Sequence, residues 1–356
     1  MIHGKFVEVE PVILHHLHKS NIHVFYFCGG RGIGKTYGAL DMCYRIGTKA
    51  LLLDKTEYAT KFIYLRRSEV EAKSCANPAM NPFKKYNKQE DKNVEGTFND
   101  ALGMGSFFEG DNHLGYCAAV STFSNLRGVD FSDVILVVYD ECIPESKRKR
   151  NNISDEGFLL LNIIETINRN RALEGLPEII LVMLSNPIDL GSVLLSQLGF
   201  TAIINNMIFM DRQAYTDKSR SLHIARYENH VVSIEKKEKS MLYKFSKGLD
   251  FSEQAITGKF TNNDLTCIKN NVPLQEYKPL FTLENICVYT HKDNDDWYIT
   301  TRMSKCKRNF KVYQQEALHE FYYWGYKNHV IAGNVYYDNY QTRVIFNQMI
   351  GLKTLY

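Results

Sequence analysis

A glycine-rich segment near the amino terminus constrains this chain more than any other stretch. It matches the complete phosphate-binding loop pattern, and its residues are Gly29, Gly30, Arg31, Gly32, Ile33, Gly34, Lys35 and Thr36. The run His23 to Phe27 before it predicts a buried strand, and Thr36 to Tyr44 after it predicts a helix. Glycine is needed between the two because a Cβ would collide with a phosphate or forbid the turn. A glycine-rich turn beside an unrelated lysine is the alternative, and the two flanks favour a phosphate site.

A second segment supplies carboxylates of the kind that such a loop requires. Val134 to Tyr139 is continuously apolar and predicts a central parallel strand, and Asp140 and Glu141 follow it directly. We expect the lysine of the loop to reach the β- and γ-phosphates of a nucleotide, and the loop threonine to bind Mg²⁺. Asp140 is then placed to hold Mg²⁺ through water, and Glu141 to polarise the water that attacks the γ-phosphate. A helix cap is the alternative for this acidic pair.

Other polar residues fall where predicted strands end. Arg66 and Arg67 follow the strand Thr60 to Leu65, so they are either ligand contacts at the carboxyl edge of a sheet or solvent-exposed charges. Asn186 follows the strand Glu178 to Leu184, where its amide either senses hydrolysis or belongs to a plain turn. Arg66, Arg67 and Asn186 are therefore candidates for the same site, and both interpretations of each stay open.

Composition excludes several protein classes. The 356 residues are 44% hydrophobic, enough for a core, and the length suggests two domains or one large one. No apolar run approaches a bilayer span and the first residues lack a signal-peptide core, so a soluble, cytoplasmic protein is expected. The eight cysteines include no Cys-x-x-Cys pair, so neither a zinc site nor a disulfide framework is predicted. Because the net charge is only +3, nucleic-acid contacts would need local patches; Lys147 to Arg150 is either one of these or a solvated loop.

The remaining stretches are assigned more coarsely. Asn81 to Asn99 is polar and lysine-rich and predicts a surface excursion. Asp211 to Asp250 is charged and predicts a linker with a mixed-charge helix at Glu235 to Lys239. Strand-like runs return later, with a predicted hairpin turn at His291 to Asp296, and a helical stretch is predicted from Val312 to Tyr326.

Taken together, these segments resemble the DNA-packaging ATPases of phi29-like phages, which are relatives of the large terminase subunits. The resemblance covers Ile22 to about Pro187, and the segments that carry it, in matching order, are Gly29 to Thr36, Tyr64 to Arg67, Val134 to Glu141, Arg169 to Arg171 and Leu184 to Asn186. It implies an α/β fold: a P-loop ATPase domain of the additional-strand, conserved-glutamate (ASCE) type, with a central, mostly parallel sheet. A small linker domain and a C-terminal α+β, ribonuclease-H-like vestigial nuclease domain are implied to follow, with boundaries at 1–209, 210–270 and 271–356.

The resemblance also implies roles for single residues within one subunit. Lys35 and Thr36 match the phosphate and Mg²⁺ contacts of that family. Asp140 and Glu141 match its metal-side and catalytic carboxylates. The predicted nucleotide-binding set is completed by two residues at other strand ends, Arg66 and Asn186.

Further residues are implied to act between subunits. Arg169 matches an arginine finger that acts on the nucleotide of a neighbouring subunit, where such an arginine stabilises charge on the transferred phosphoryl group. Arg127 falls where the family has another basic residue acting in trans. The choice of the true finger stays open among Arg169, Arg171 and Arg127.

The implied function is an ATP-driven viral motor that moves double-stranded DNA into a procapsid, with ATP and Mg²⁺ bound. Its implied partners are double-stranded DNA, the portal of the procapsid, prohead RNA and further copies of itself in a ring, expected to be a pentamer. The expected location is the host cytoplasm and, transiently, the procapsid, without a membrane and not in the mature virion. The rivals are another P-loop translocase such as a helicase, an ATP-switched assembly protein, and an active nuclease.

Overall fold

The chain folds into two compact units, each with its own sheet and hydrophobic core. A computed structural model describes residues 2–3, 6–53, 59–126, 128–144, 153, 155–169, 171, 173–187, 190–227, 239–245, 267–269 and 272–351. The first unit comprises 1–197 and 210–261, and the second comprises 198–209 and 262–356. None of the described helices combines the length and the apolar character needed to cross a membrane.

The first unit is built on a large sheet. Its strands are β3 Val24–Gly29, β4 Lys61–Arg66, β5 Val94–Asn99, β6 Met104–Glu109, β7 Asn112–Ala119, β8 Val134–Tyr139, β9 Ile180–Ser185, β10 Ala214–Asp217 and β11 Leu222–Tyr227, and a separate pair is formed by β1 Ile2–His3 and β2 Phe6–Val7. The order across the nine-stranded sheet is β10-β11-β3-β9-β8-β4-β7-β6-β5. The strands from β11 to β7 run parallel, whereas β10, β6 and β5 pair antiparallel at the two edges.

The helices follow the sequence patterns where those were periodic. They are α1 Val9–Ser20, α2 Lys35–Gly47, α3 Glu69–Ser74, α4 Lys84–Glu90, α5 Glu156–Asn168, α6 Val193–Gln197, α7 Phe200–Phe209, α8 Met241–Phe245, α9 Gln315–Leu318, α10 Trp324–Ile331 and α11 Tyr340–Met349. A 3₁₀ helix covers Val120–Leu126. Of the α-helices, α7 and α9 to α11 belong to the second unit.

The order of strands at the centre positions the candidate site. β9 lies between β3, which leads into the glycine loop, and β8, which leads into the acidic pair. Both β8 and β9 are buried along their whole length, as their continuous apolar runs predict. An additional strand therefore separates the loop strand from the acidic strand. Because the three strands are parallel, the residues that follow them meet at one edge of the sheet.

Two segments fold differently from the sequence expectation. Asn81 to Asn99, predicted as a surface excursion, contains α4 and β5, and Phe83, Tyr86 and Val94 are buried there. Residues 214–227, predicted as part of a linker, form β10 and β11, and β11 pairs with the loop strand β3. The predicted mixed-charge helix at 235–239 lies outside the described residues, apart from Lys239. The predicted domain boundaries, 1–209, 210–270 and 271–356, stay predictions, because the two compact units do not test them.

The second unit holds a smaller mixed sheet. Its strands are β12 Tyr277–Leu283, β13 Ile286–His291, β14 Trp297–Thr300, β15 Asn309–Phe310 and β16 Val335–Tyr337, in the order β15-β12-β13-β14-β16. The predicted hairpin turn is confirmed, because Thr290 pairs with Trp297 across it. The predicted helix 312–326 is broken into a 3₁₀ turn, α9, a π-helical segment His319–Tyr323 and α10. The ribonuclease-H-like assignment of this unit stays a proposal.

Candidate functional site

The glycine loop turns sharply between β3 and α2. Gly32 and Gly34 have φ of +79° and +93°, in the left-handed region that favours glycine. A Cβ on Gly29 would lie 2.6 Å from Ile33 Cδ1 and 2.8 Å from the Tyr227 carbonyl oxygen, so the close approach requires glycine there. Ile33 itself is buried and serves packing, whereas Arg31 is exposed. Successive backbone N–H groups and the amino end of α2 are thereby gathered at one point, which suits an anion.

The lysine of the loop is folded over it. Lys35 is buried, and its Nζ donates to the carbonyl oxygens of Gly29 at 2.6 Å and Gly30 at 2.9 Å. It also lies 3.4 Å from Asn186 Oδ1, beyond the end of β9. The ammonium therefore links the loop to the strand that separates it from the acidic pair.

Asp140 is the buried centre of the acidic edge. It accepts hydrogen bonds from Thr36 Oγ1 to Oδ1 at 3.2 Å and from Tyr64 OH to Oδ2 at 2.7 Å. Burial raises the pKa of the Asp140 carboxyl, while the Tyr64 hydrogen bond and the charge of Arg66 act in the opposite direction. The Thr36 hydroxyl at the start of α2 and the Asp140 carboxylate at the end of β8 thus lie side by side, and both are oxygen ligands of the kind that Mg²⁺ prefers.

Glu141 adopts a less common backbone conformation beside this centre. Its φ is +50°, and its side chain is 60% exposed. Arg66 Nη2 donates to Glu141 Oε2 at 2.7 Å, and Arg66 Nη1 lies 4.0 Å from Asp140 Oδ2. Arg66 is therefore hydrogen-bonded to Glu141 and lies within ion-pair distance of Asp140. We interpret it as a partner of the predicted catalytic glutamate as well as a predicted nucleotide contact.

These groups open onto a cavity of about 900 Å³, within the size range of small-molecule sites. Its lining includes most of the predicted residues, namely Arg31, Gly32, Gly34, Lys35, Thr36, Asp140, Glu141 and Asn186. The predicted residues Gly29, Gly30, Ile33 and Arg66 lie outside this lining. Arg67, one of the two arginines considered as a ligand contact, lines the cavity as well. Residues that sequence reasoning missed also face the cavity: Tyr37, Leu40, Glu71, Pro82, Lys85, Tyr86, Gln89, Glu90, Ile143, Pro144 and Ser185.

A buried ion pair supports the floor of the cavity. Arg67 Nη1 donates to Glu156 Oε2 at 2.8 Å, and both side chains are buried. Arg67 Nη2 also donates to the Cys142 carbonyl, and Tyr139 OH donates to Glu156. Burial raises the pKa of Glu156, while the charge of Arg67 opposes it. The network fixes the amino end of α5 to the ends of β4 and β8.

The arginines that were predicted to act between subunits differ in how deeply they are buried. Arg169 caps the carboxyl end of α5 and is exposed. Arg171 is only 1% exposed, and it donates to the carbonyls of Pro177 at 2.7 Å and Ser132 at 3.1 Å. Its surroundings give it a structural role. Arg127 and the basic run Lys147 to Arg150 lie outside the described residues.

The glycine loop after β3, the acidic pair after β8 and the strand β9 between them define a class of protein: the P-loop nucleotide-binding proteins of the additional-strand type. The chain belongs to the Podovirus DNA encapsidation protein (Gp16) family, whose model matches residues 14–341. The resemblance seen in the sequence is thereby confirmed, and the chain is a phage DNA encapsidation protein. No curated protein sequence matches it closely enough to count as a relative.

Two solved packaging motors have a similar fold over nearly the whole chain. The phi-28 gp11 DNA packaging motor is 16% identical, with a TM-score of 0.56, covering 96% of this chain and 98% of that one. The bacteriophage phi-29 viral genome packaging motor assembly is 16% identical, with a TM-score of 0.60, covering 98% and 99%. At such identity the likeness shows the fold alone.

Proposed function

We propose that this chain is the ATP-hydrolysing subunit of a ring that moves double-stranded DNA into a procapsid. Family membership supports packaging, and one contact supports hydrolysis above all others. The hydrogen bond from Thr36 to Asp140, at 3.2 Å, joins the glycine loop to the acidic strand across the intervening β9. Loop and carboxylates are therefore parts of one site.

In the proposed mechanism the loop binds the triphosphate and Lys35 contacts its β- and γ-phosphates. Thr36 and Asp140 would hold Mg²⁺, which when bound neutralises phosphate charge. The donor set fits this ion, because both oxygens lie at the edge of the cavity and already face each other. Tyr64 orients Asp140 by its hydrogen bond.

Glu141 is the proposed general base for the attacking water. In the described conformation its carboxylate is paired with Arg66, so this ion pair must loosen before Glu141 can accept a proton. Asn186 contacts Lys35 from the end of β9, which supports a proposed role for its amide in responding when the γ-phosphate leaves. Arg66 and Asn186 thus connect the state of the nucleotide to two neighbouring strands.

We propose that Arg169 completes the site of the next subunit in the ring. The pentamer, the portal and prohead RNA as partners, and the host cytoplasm and procapsid as location, belong to the same proposal. The basic run Lys147 to Arg150 is retained as a proposed DNA contact. The strands β12 to β14 carry no aspartate or glutamate, which supports a vestigial C-terminal domain used for docking.

Turnover of ATP with and without purified procapsid and duplex DNA tests the proposal. In Glu141→Gln, stimulated turnover is expected to fall by about 10²- to 10⁴-fold, because the general base is lost while nucleotide binding remains. The exposed Glu95, on β5, supplies a matched control as Glu95→Gln. Absence of stimulated turnover in the unaltered chain, or its persistence in Glu141→Gln, would rule the proposal out.

A further inference from the structure

Helix α4 presents one face to the cavity that holds the candidate site. Its members in the cavity lining are Lys85, Tyr86, Gln89 and Glu90. They form two pairs four positions apart, as residues on one face of a helix do. Lys84 lies on the opposite face, and neither it nor Lys88 takes part in the lining. Of the three lysines of α4, Lys85 alone therefore lies at the cavity.

Contacts with two neighbouring elements hold α4 in place. Tyr86 OH donates to Asp41 Oδ1 of α2 at 3.0 Å. The Asn87 amide exchanges two hydrogen bonds of 3.0 Å with the backbone of Val94, where β5 begins. The backbone at Lys85 is therefore fixed beside the cavity, while its exposed side chain is a flexible stem that carries a point charge.

The cavity extends from the glycine loop towards the acidic strand. Besides the loop, α2 and α4, its lining comes from the carboxyl ends of β4, β8 and β9 and the residues that follow them, namely Arg67, Glu71, Asp140, Glu141, Ile143, Pro144, Ser185 and Asn186. No described residue of β11, the strand on the other side of β3, belongs to the lining. In the proposed mechanism the γ-phosphate is the part of the nucleotide that lies beside Glu141. The α4 wall therefore faces that end of the triphosphate.

The charge of Lys85 is uncommitted, in contrast to that of the other cations in the lining. Arg31 and Lys35 belong to the loop itself, and Arg67 is paired with the buried Glu156. Lys85 forms no hydrogen bond or ion pair with another described residue. Its ammonium is therefore available to a bound anion, and a lysine forms a strong, charge-assisted hydrogen bond with a phosphate oxygen.

We propose that Lys85 is a further nucleotide-binding residue, whose ammonium donates to an oxygen of the γ-phosphate. The inference rests on the proposed function, because it takes the cavity to hold ATP. Lys35 contacts the β- and γ-phosphates from the loop, whereas Lys85 contacts the γ-phosphate alone. The α4 lysine therefore distinguishes ATP from ADP, and its contact is lost when the γ-phosphate leaves.

Competition binding to the full chain tests the proposal, with Mg²⁺ present and a fluorescent ADP displaced by ATPγS or by ADP. In Lys85→Ala the Kd of ATPγS is expected to rise by about tenfold or more, because a hydrogen bond between two charged groups is lost, while the Kd of ADP stays the same. Lys84→Ala is the matched control, since Lys84 is an exposed lysine on the opposite face of the same helix, and it should change neither value. Lys85→Arg keeps the charge and should recover most of the affinity for ATPγS. Far-UV circular dichroism should be the same in all the variants.

Equal losses for ATPγS and ADP in Lys85→Ala, or the same loss in Lys84→Ala, would overturn the inference, because either would indicate a general attraction for anions and not a contact with the γ-phosphate. Normal binding of both nucleotides by Lys85→Ala, with turnover that still depends on Glu141, would remove the inference and leave the proposed function standing. A selective loss for ATPγS in a chain that hydrolyses no ATP would do the reverse.

Discussion

The two units of the molecule differ in whether they bury charged side chains. Within the described residues, the first unit buries Lys35, Arg67, Asp140, Glu156, Arg171 and Arg226, besides Thr60, Asn81, Ser185 and His223. The second unit buries neutral ones, namely Thr201, Asn205, Thr282, Thr300 and Thr342. Buried charge costs free energy unless it is paired and hydrogen-bonded. The core of the second unit is built without buried charge among its described residues, whereas three of the six charges in the first unit, Lys35, Arg67 and Asp140, line its cavity.

The largest expected effect comes from breaking the buried ion pair of the first unit. Arg67→Met should destabilise that unit by about 3–5 kcal/mol, because Glu156 is left buried without its partner. Thr300→Val, which removes a 2.7 Å hydrogen bond to Asp338 in the second unit, should cost only about 1 kcal/mol. Urea unfolding followed by far-UV circular dichroism measures both.

Fluorescence provides an internal control for this comparison. The two tryptophans of the chain, Trp297 and Trp324, both lie in the second unit. If the buried charges support the first unit alone, Arg67→Met should shift the circular dichroism transition and leave the fluorescence transition in place. Coincident shifts in both signals would contradict the contrast between the units.

The next effect concerns activity. Lys35→Ala should lower ATP turnover by about 10²- to 10³-fold, the usual cost of removing one donor to transition-state charge. Lys84→Ala, on the outside of α4, is the matched control and should turn over normally. If Lys35→Ala hydrolyses ATP at the normal rate, the buried ammonium group contributes to the stability of the fold and not to hydrolysis.

A smaller effect distinguishes two buried tyrosines. Tyr64 donates to the carboxylate of Asp140 at 2.7 Å, whereas Tyr298 in the second unit donates to the carbonyl of Lys269 at 3.0 Å. Tyr64→Phe should cost about 1.5–3 kcal/mol and Tyr298→Phe about 1 kcal/mol, because hydrogen bonds to charged groups are stronger. Urea midpoints decide the order; equal costs would show that charge on the acceptor does not matter here.

The smallest effect is a pH dependence of stability. Burial raises the pKa of Glu156 in the folded chain above 4.5, so the folded form holds this proton to higher pH than the unfolded form. Its contribution is therefore complete below about pH 4.5 and is lost as the pH rises through the folded pKa, with a slope of at most about 1.4 kcal/mol per pH unit. The unfolding free energy of the unaltered chain, measured relative to Glu156→Gln, should fall as the pH rises above about 4.5. A flat difference would mean that Arg67 offsets the burial.

The sequence predicted the strands and the groups at their ends where the signal was local. Continuous apolar runs ending in Gly29, Asp140 and Asn186 were enough to place β3, β8 and β9 and the groups that follow them. The cavity wall formed by α4 was missed, because Phe83 and Tyr86 are buried by distant parts of the chain and their own segment is polar. β11 was missed for a similar reason, since its burial depends on pairing with β3.

Arg169 and Arg171 show the same limit on a smaller scale. Nothing in the sequence distinguishes the two arginines, so both were candidates for the arginine finger. The difference arises only when the turn after α5 directs Arg171 towards the carbonyls of Ser132 and Pro177 and leaves Arg169 in solvent. Burial of a charged side chain is a property of the fold, so a motif alone cannot assign it.

The left-handed backbone conformation of Glu141 has a consequence for which residues this position favours as the sequence changes. At φ of +50° a glycine would be more comfortable than any residue with a Cβ, and Glu141→Gly should make the chain about 1 kcal/mol more stable. The most stable version of this turn therefore lacks the carboxylate that we propose as the general base. Selection for stability alone would favour glycine at this position, and the proposed catalytic role accounts for the glutamate.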